Sequence, residues 1–313
     1  MFVHIKELNI YEWNRTPSDG TIEILGAALY PDDLIITTSE TPRTDHHGQD
    51  TNQYEDPVMQ TILVTGATGT LGREVVAQAQ GQGVTVRALV HRNAHTQLEE
   101  AQIAVGDLIT GSGLAQAMAG VDTIIHCATG FGANSDMERD AARNLINAAT
   151  KTGSPHLVYI SIVGVDKSAF SYFKAKLGVE QLIEQSGLPF TILRTTQFHN
   201  FILNLIRSSE SDGVIRLPKG LTFQPIAVKE VAKALVALAL GPAHGHAPDM
   251  AGPQILTLED MAQTYVQALG KQLHVHVDAM GEPSEYHDAF RAKHNLAPDR
   301  AIGQQTWEVF LKS

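Results

Sequence analysis

Residues 61–92, TILVTGATGTLGREVVAQAQGQGVTVRALVHR, decide the fold of this chain. The apolar run 62–64 predicts a buried strand, a glycine-rich loop follows it, and a helical pattern extends over residues 71–80. A second apolar run, 84–90, predicts another strand. Strand, turn, helix and parallel strand make one βαβ unit, which is the repeating element of a doubly wound parallel sheet.

The loop carries a glycine at every third position, Gly66, Gly69 and Gly72. A diphosphate can lie on the first turn of a helix only where no side chain blocks the backbone N–H groups, and the positive helix end favours its charge. We assign the tight turn to Gly66, the close approach to phosphate to Gly69 and helix–strand packing to Gly72. The loop therefore predicts dinucleotide binding. The alternative is a plain strand-to-helix turn in another α/β protein.

Composition and charge limit the classes of function. The formal net charge is -11 over 313 residues, but residues 1–58 hold three Lys or Arg against eleven Asp or Glu, which leaves -3 for the rest. The main body thus has no basic stripe for nucleic acid. Cys127 is the only cysteine, which favours a reducing compartment. Since no apolar run approaches the roughly 20 residues that cross a bilayer, we expect a cytoplasmic protein without membrane or nucleic-acid partners.

The N-terminal 58 residues are expected to be a poorly structured extension. Their second part, TPRTDHHGQDTNQYEDP at 41–57, has too little apolar surface to offset the entropy of ordering it. Met59 stands two residues before the first predicted strand. We therefore divide the chain into residues 1–58 and an NAD(P)-binding domain over residues 59–313, with Met59 as the alternative natural start.

The end of the second predicted strand indicates the preferred cofactor. An NAD site places an acidic residue there, whereas a basic residue accommodates the additional phosphate of NADP. This strand ends in His91 and Arg92, and no carboxylate follows before Glu99. We therefore predict that Arg92 binds the phosphate and that NADP(H) is favoured over NAD(H).

A second group of candidates follows the later strands. Ala128 and Thr129 come after a predicted fourth strand, where parallel strands reach a cofactor crevice, and Ser161 ends a fifth. The amphipathic helix that follows carries Tyr172 and Lys176 four residues apart, on one face. A phenol ionises near pH ~10, and a lysine cation beside it favours the phenolate, so such a pair can act as an acid–base group. The alternative is ordinary surface packing.

Several motifs resemble a known family. The spacing in TGATGTLG resembles that of extended and atypical short-chain dehydrogenase/reductases, while ILRTTQFH at 192–199 and FQPIAVKEVA at 223–232 resemble the NmrA-like branch. Some members of that branch are known as NAD(P)H-quinone or triphenylmethane-dye reductases. The resemblance covers residues 59–313. It implies an α/β fold, a doubly wound (Rossmann) parallel sheet with a small C-terminal substrate lobe mainly from about Gln224.

The resemblance also implies roles for individual residues. Ser161, Tyr172 and Lys176 match the catalytic set of short-chain reductases. Together with the loop and the strand ends, it gives these cofactor contacts: Gly66, Thr68, Gly69, Thr70, Leu71, Gly72, Arg92, Asp107, Leu108, Ala128, Thr129, Lys176 and Thr195. The implied substrate contacts are Phe131, Gln197 and Phe198. Phe173 and the short Ser161 to Tyr172 interval are typical of the NmrA-like branch, where this tyrosine is not always present.

Two functions remain open on these grounds. The first is an NAD(P)H-dependent oxidoreductase that reduces a quinone, carbonyl or other conjugated small molecule by hydride transfer; Tyr172 donates the proton, Lys176 holds the ribose and Ser161 orients the acceptor oxygen. The second is a non-catalytic NADP(H)-binding redox sensor of the NmrA type. Nucleotide-sugar epimerase chemistry is disfavoured by the short C-terminal lobe. We expect a monomer or homodimer, and no metal site, because His274 and His276 have no further ligands at a recognised spacing.

Overall fold

A computed structural model of the chain describes residues 59–91, 98, 101–129, 135–278 and 284–313. The predicted N-terminal extension, Arg92 and Phe131 lie outside the described residues. The described strands are β1 Thr61–Thr65, β2 Thr85–Val90, β3 Gln102–Val105, β4 Thr123–His126, β5 His156–Ile162, β6 Phe190–Thr195, β7 Glu210–Ser211, β8 Val214–Pro218, β9 Thr222–Phe223, β10 Gly245–His246, β11 Leu256–Thr257 and β12 His274–Asp278. The described helices are α1 Thr70–Gln80, α2 Leu114–Met118, α3 Ser135–Lys151, α4 Ser171–Glu184, α5 His199–Ser208, α6 Val228–Leu240, α7 Leu258–Ala268, α8 Glu285–Arg291 and α9 Trp307–Leu311.

A parallel sheet of seven described strands, in the order β10-β6-β5-β4-β1-β2-β3, forms the centre of the fold. The strand order reverses between β1 and β4, which is the arrangement of a doubly wound sheet and leaves a crevice at the carboxyl ends of these strands. The predicted fold class is therefore confirmed. The first βαβ unit runs from β1 through α1 to β2, as the apolar pattern indicated.

Alternating side chains of the strands supply a core on each face of the sheet. Ile62 and Val64 of β1 pack on one face with α1 and α6, whereas Leu63 between them packs on the other face with α2, α3 and α4. Such burial on both faces explains why these strands read as continuous apolar runs. The crevice is thus formed on a sheet that helices cover on both sides.

The second lobe is a separate, smaller assembly. It contains the mixed sheet β12-β8-β7 and the pair β11-β9, around a core that includes Phe223, Tyr265, Phe290 and Trp307. α5, α7, α8 and α9 cover this core. Phe173 of α4 also belongs to it, so α4 contacts both lobes.

The predicted lobe boundary near Gln224 needs correction. α6 packs on the main sheet beside α1, and β10 extends that sheet by pairing with β6, although both follow residue 224. Conversely, β7, β8 and β9 precede residue 224 and belong to the small lobe. The apolar stripe of α6 explains the difference, because it matches the open face of the main sheet. His246 of β10 has its Nε2 atom 2.6 Å from Oε1 of Glu184.

Two negative findings concern only the described part of the chain. None of its helices is long and apolar enough to cross a membrane. No three His, Cys, Asp or Glu side chains there are grouped so as to hold a metal ion. His274 and His276 lie on the exposed side of β12, and His276 Nε2 is 3.2 Å from Asp278 Oδ1.

Candidate active site

The glycine loop between β1 and α1 is shaped by two close approaches. Gly66 has φ +65°, and a Cβ there would lie 2.7 Å from the amide nitrogen of Ala128. A Cβ at Gly72 would collide with the carbonyl oxygen of Gly66. Side chains are therefore excluded from both positions, and the turn brings the start of α1 against the end of β4. This arrangement is the one that the glycine spacing predicted.

The first turn of α1 presents backbone donors. Gly69 caps the helix with an extended backbone, and no side chain accepts a hydrogen bond there. The first N–H groups of a helix have no carbonyl partner within the helix, and the positive end of its dipole favours an anion. Thr68, Gly69 and Thr70 are exposed, whereas the Leu71 side chain is buried in the core and can contribute only its backbone. The loop fits the diphosphate of a dinucleotide.

The end of β4 is fixed against this loop by a buried hydrogen-bond pair. Thr65 Oγ1 lies 2.7 Å from Nδ1 of His126 and accepts a 3.3 Å hydrogen bond from the Ala128 amide. Burial, helped by the nearby Lys176 cation, lowers the pKa of His126 to about 3, so the imidazole is neutral. Burial likewise raises the pKa of the Cys127 thiol to about 12, although Lys176 opposes it. Both side chains position the strand end and are unsuited to acid–base work.

Tyr172 adjoins the same edge of the sheet. Its hydroxyl lies 3.0 Å from Oγ1 of Thr129, and 36% of the residue is exposed. Its ring packs beside Phe170, with centroids 6.1 Å apart. Because Gly66 contacts Ala128 and Thr129 contacts Tyr172, the structure brings the predicted dinucleotide loop, the β4 exit and the predicted proton donor together.

Ser161 lies near the end of β5 and is buried. Alternation along the strand places it on the same face as Tyr159, which is the face covered by α3 and α4. Its Oγ atom has no hydrogen-bond partner among the described residues. Ser161, the predicted third member of the set, thus lies on the face of the sheet that is covered by α4, the helix that carries Tyr172 and Lys176.

Lys176, which the resemblance assigns to the ribose, is a buried side chain in this structure. Its Nζ lies 3.3 Å from Oε1 of Glu138 and 4.8 Å from the centre of the Tyr159 ring, and the Lys176 and Glu138 side chains are only 4% and 6% exposed. Burial alone lowers the pKa of this lysine, but attraction by Tyr159, Tyr172 and Glu138 outweighs it and raises the pKa. Glu138 is the acidic side chain in contact with Lys176 Nζ. The result is a buried ion pair beneath Tyr172.

Glu138 is the residue of this cluster that sequence reasoning missed. Its Oε1 also accepts a 2.9 Å hydrogen bond from Thr129 Oγ1. A signal was present, because Glu138 shares the helical spacing of the buried Ala141, Ala142 and Leu145. A carboxylate on the apolar stripe of α3 requires a partner.

Asp107 and Leu108, two of the predicted cofactor contacts, follow β3. The Asp107 carboxylate accepts hydrogen bonds from the Ile109 amide at 2.8 Å and the Thr110 hydroxyl at 3.0 Å, and lies 3.3 Å from His91 Nε2. Burial raises the pKa of Asp107, but these hydrogen bonds outweigh it and lower the pKa. Leu108 is buried in the core. Asp107 thus shapes its own loop at the edge of the crevice.

The end of β6 carries a predicted cofactor contact, Thr195, and the predicted substrate contacts Gln197 and Phe198 follow it. Thr195 is buried at the strand end. The side-chain oxygen of Gln197 accepts a 3.1 Å hydrogen bond from Asn295, which is fully buried and also donates to the Thr222 carbonyl at 3.0 Å. Phe198 is half-buried against the main core. Asn295 was not predicted, since it lies almost a hundred residues from Gln197 and nothing local marks it.

Comparisons with known proteins agree with this geometry. A family model described as NAD(P)H-binding matches residues 66–242. A (4-alkanoyl-5-oxo-2,5-dihydrofuran-3-yl)methyl phosphate reductase of Streptomyces griseus subsp. griseus is 33% identical over 68% of this chain and 75% of its own length. The photosystem II assembly factor Ycf39 of Trieres chinensis is 30% identical over 46% of this chain and 47% of its own length.

A solved structure shares the fold. The NADPH-dependent quinone oxidoreductase of Escherichia coli, complexed with NADPH, aligns with 80% of this chain and 98% of its own, with a TM-score of 0.68 and 20% identity. At this identity the likeness concerns the fold alone. It agrees with the doubly wound sheet and the small second lobe described above.

Proposed function

Because the chain belongs to the NAD(P)H-binding, NmrA-like branch of the atypical short-chain dehydrogenase/reductases, we propose that it is an NAD(P)H-dependent reductase. Its acceptor is a quinone, a carbonyl compound or another conjugated small molecule. The nicotinamide, when bound, supplies the hydride. The chain supplies the binding loop, the shape of the crevice and a proton donor.

The proposal rests on the contacts that join the glycine loop, the end of β4 and Tyr172. The glycine loop contacts Ala128, the next residue Thr129 contacts Tyr172, and all of them lie at the carboxyl ends of the central strands. Ligands of open α/β sheets bind in that crevice. A phenol that is partly exposed beside the crevice is suited to donate a proton to an acceptor oxygen.

The preference for NADP(H) is part of the same proposal. β2 ends at Val90 and is followed by His91, so the strand-end position at which an NAD site places a carboxylate holds a histidine. Asp107 contacts His91, and its carboxylate already accepts hydrogen bonds from the Ile109 amide and the Thr110 hydroxyl. Arg92, the predicted phosphate ligand, immediately follows His91 in the sequence.

Steady-state oxidation of NADPH in the presence of quinones and aldehydes tests the proposal. The protein is expected to oxidise NADPH only when an acceptor is present, and to use NADH less well. Reduction of the acceptor is followed together with cofactor absorbance, so that one acceptor is reduced for each NADPH consumed. Complete inactivity with every quinone and aldehyde contradicts the proposed reductase.

A redox sensor is the second candidate. Two observations favour it: Lys176 is buried rather than open to the crevice, and one relative is named an assembly factor. A sensor needs the glycine loop but not Tyr172. It is expected to bind NADPH and NADP with different affinities while leaving NADPH unoxidised, and equilibrium titrations with both forms measure this difference.

A further inference from the structure

A buried ion pair between two helices lies directly below the proposed proton donor. Glu138 comes from the first turn of α3 and Lys176 from the second turn of α4, and both side chains are almost completely enclosed. Burying two charges costs several kcal/mol per ion unless each is well paired and hydrogen-bonded. Lys176 is paired by Glu138 and lies over the ring of Tyr159. An arrangement this costly is expected to do more than join two helices.

The hydroxyl group of Thr129 links this ion pair to Tyr172. Glu138 Oε1 lies 3.3 Å from Lys176 Nζ and accepts the hydroxyl hydrogen of Thr129 over 2.9 Å. Thr129 Oγ1 lies 3.0 Å from the Tyr172 hydroxyl. A short chain of contacts therefore runs from the lysine cation to the proposed acid.

The chemistry of the groups fixes the direction of these hydrogen bonds. Glu138 is ionised beside the lysine cation and can only accept. Thr129 has a single hydroxyl hydrogen, which it donates to Glu138, so its oxygen is left as an acceptor. Tyr172 must then be the donor to Thr129. With a neutral group in place of the carboxylate, Thr129 is free to turn its hydrogen toward Tyr172, and the defined direction is lost.

We propose that Glu138 is a positioning residue for Tyr172: it holds Lys176 within the fold and, through Thr129, keeps the tyrosine hydroxyl at the crevice edge as a hydrogen donor. This inference rests on the proposed reductase function. It assigns Lys176 to the support of Tyr172 through Glu138 instead of to the cofactor ribose.

The proton balance of the step is simple. A carbonyl carbon gains a hydride from the reduced nicotinamide nucleotide, and the electron pair of the C=O π bond moves to the oxygen. The acceptor oxygen replaces Thr129 as the partner of Tyr172, the tyrosine O–H bond breaks, and the new alcohol O–H bond forms. After the alcohol leaves, the exposed phenolate takes a proton from water. Glu138 and Lys176 keep their charges throughout.

A double-mutant cycle tests the inference on the full-length protein. The variants are Glu138→Gln, Thr129→Val and Tyr172→Phe, singly and with each of the first two combined with the third. kcat/KM is measured with NADPH for an aromatic aldehyde, which needs a proton, and for a quinone, whose reduced anion water can protonate later. The readout is the ratio of aldehyde to quinone kcat/KM, which loss of cofactor affinity alone does not change.

Glu138→Gln and Thr129→Val are each expected to lower this ratio by about tenfold or more, because Thr129→Val removes the acceptor of the tyrosine hydrogen and Glu138→Gln no longer fixes the direction of that hydrogen bond. In the Tyr172→Phe background the same changes should lower it by less than about twofold, since residues that act through one another are not additive. Thr129→Val keeps the shape of the side chain and leaves the ion pair intact. If Glu138→Gln does not fold, the Thr129→Val variant tests the proposed link between Glu138 and Tyr172.

Glu180→Gln is the matched control. Glu180 is a buried carboxylate on α4 that pairs with Arg194 at 2.5 Å, away from Tyr172. Its substitution is expected to lower stability and leave the ratio unchanged. Equal losses with both acceptors, or additive losses in the Tyr172→Phe background, overturn the role of Glu138 while leaving a working reductase. Absence of any turnover by the unmodified protein overturns the proposed function, and this inference with it.

Discussion

Tyr172 is the residue on which the proposed chemistry most depends. Reduction of a simple ketone creates a strongly basic alkoxide that needs a proton donor, whereas reduction of a quinone spreads the charge over a conjugated anion. Tyr172→Phe removes the hydroxyl and keeps the ring. We expect kcat/KM to fall about 100-fold for a ketone and far less for a quinone.

Tyr286→Phe provides the control for that measurement. Tyr286 contacts the same Phe170 ring as Tyr172, with centroids 5.7 Å apart, but its hydroxyl is not joined to Thr129. Removal of the Tyr286 hydroxyl should change kcat/KM by no more than about twofold for either the ketone or the quinone. If Tyr172→Phe loses nothing with any ketone or aldehyde, Tyr172 has only a structural role.

His199 offers a prediction about pH. It is buried beside Trp307 and Phe310, both ring nitrogens lack a hydrogen-bond partner among the described residues, and burial lowers its pKa to about 4. The unfolded chain therefore binds more protons than the folded one between about pH 4 and 6.5. Its contribution to stability is present above about pH 6.5 and is lost as the pH falls toward 4.

The expected size follows from the two pKa values. Between pH 7 and pH 5 the His199 contribution to the free energy of unfolding falls by about 2 kcal/mol. His199→Phe keeps an aromatic ring beside Trp307 and Phe310 and should lose this part of the pH dependence. Urea unfolding at pH 7 and pH 5 measures it, and equal pH dependence in both proteins refutes the assignment. His126, another buried histidine with a lowered pKa, is present in both proteins, so its contribution to the pH dependence cancels in the comparison.

At the scale of elements, the turn between β1 and α1 allows the sharpest substitution. Gly66→Ala adds a Cβ that meets the backbone of Ala128 at a φ of +65°. The β4 edge or the turn must move, and the first turn of α1 moves with it. We expect a loss of more than about 2 kcal/mol in unfolding free energy. NADPH affinity should fall at least tenfold because the phosphate-binding amides are displaced.

Gly83→Ala separates backbone strain from the clash. Gly83 also has a positive φ, +71°, but a Cβ there meets nothing within 4 Å. This variant should lose about 1 kcal/mol of stability from the strained backbone and keep its affinity for NADPH. Chemical unfolding and cofactor titration of both variants make the comparison. Similar losses of affinity in the two variants contradict the proposed role of the Gly66 turn.

Local elements were predictable because their signals are local. The glycine spacing and the apolar runs gave the βαβ unit, and helical spacing placed Tyr172 and Lys176 on one helix. β10 was missed because two residues, Gly245 and His246, carry no periodicity; they become a strand only by pairing with β6. The direction of the Lys176 side chain was equally inaccessible, since it depends on Glu138 from another helix.

At the scale of the whole molecule, the two lobes meet beside the proposed acid. Glu285 of α8 accepts a 3.2 Å hydrogen bond from the amide of Ser171, one residue before Tyr172. Phe170 packs against Tyr286 of the same helix. The small lobe thus presents α8 next to Tyr172, while the main sheet presents the glycine loop. This arrangement supports a crevice in which the main sheet faces the cofactor and the small lobe faces the acceptor.

At this scale the sequence motifs predicted the family of the chain, but they did not predict the boundary between the lobes. The motifs that resemble the NmrA-like branch extend across both lobes, so they identified the fold without dividing it. The chain enters the small lobe at α5, returns to the main sheet for α6 and β10, and leaves it again at β11. A single boundary in sequence cannot describe such a path.

Calorimetric titration of the folded protein with NADPH and with NADH tests the central claim, that the turn at Gly66–Gly72 binds the diphosphate of a nicotinamide dinucleotide. We expect one binding site per chain, with NADPH bound more tightly than NADH. Absence of binding heat for both nucleotides at millimolar concentration, on protein shown to be folded by circular dichroism, would contradict that claim.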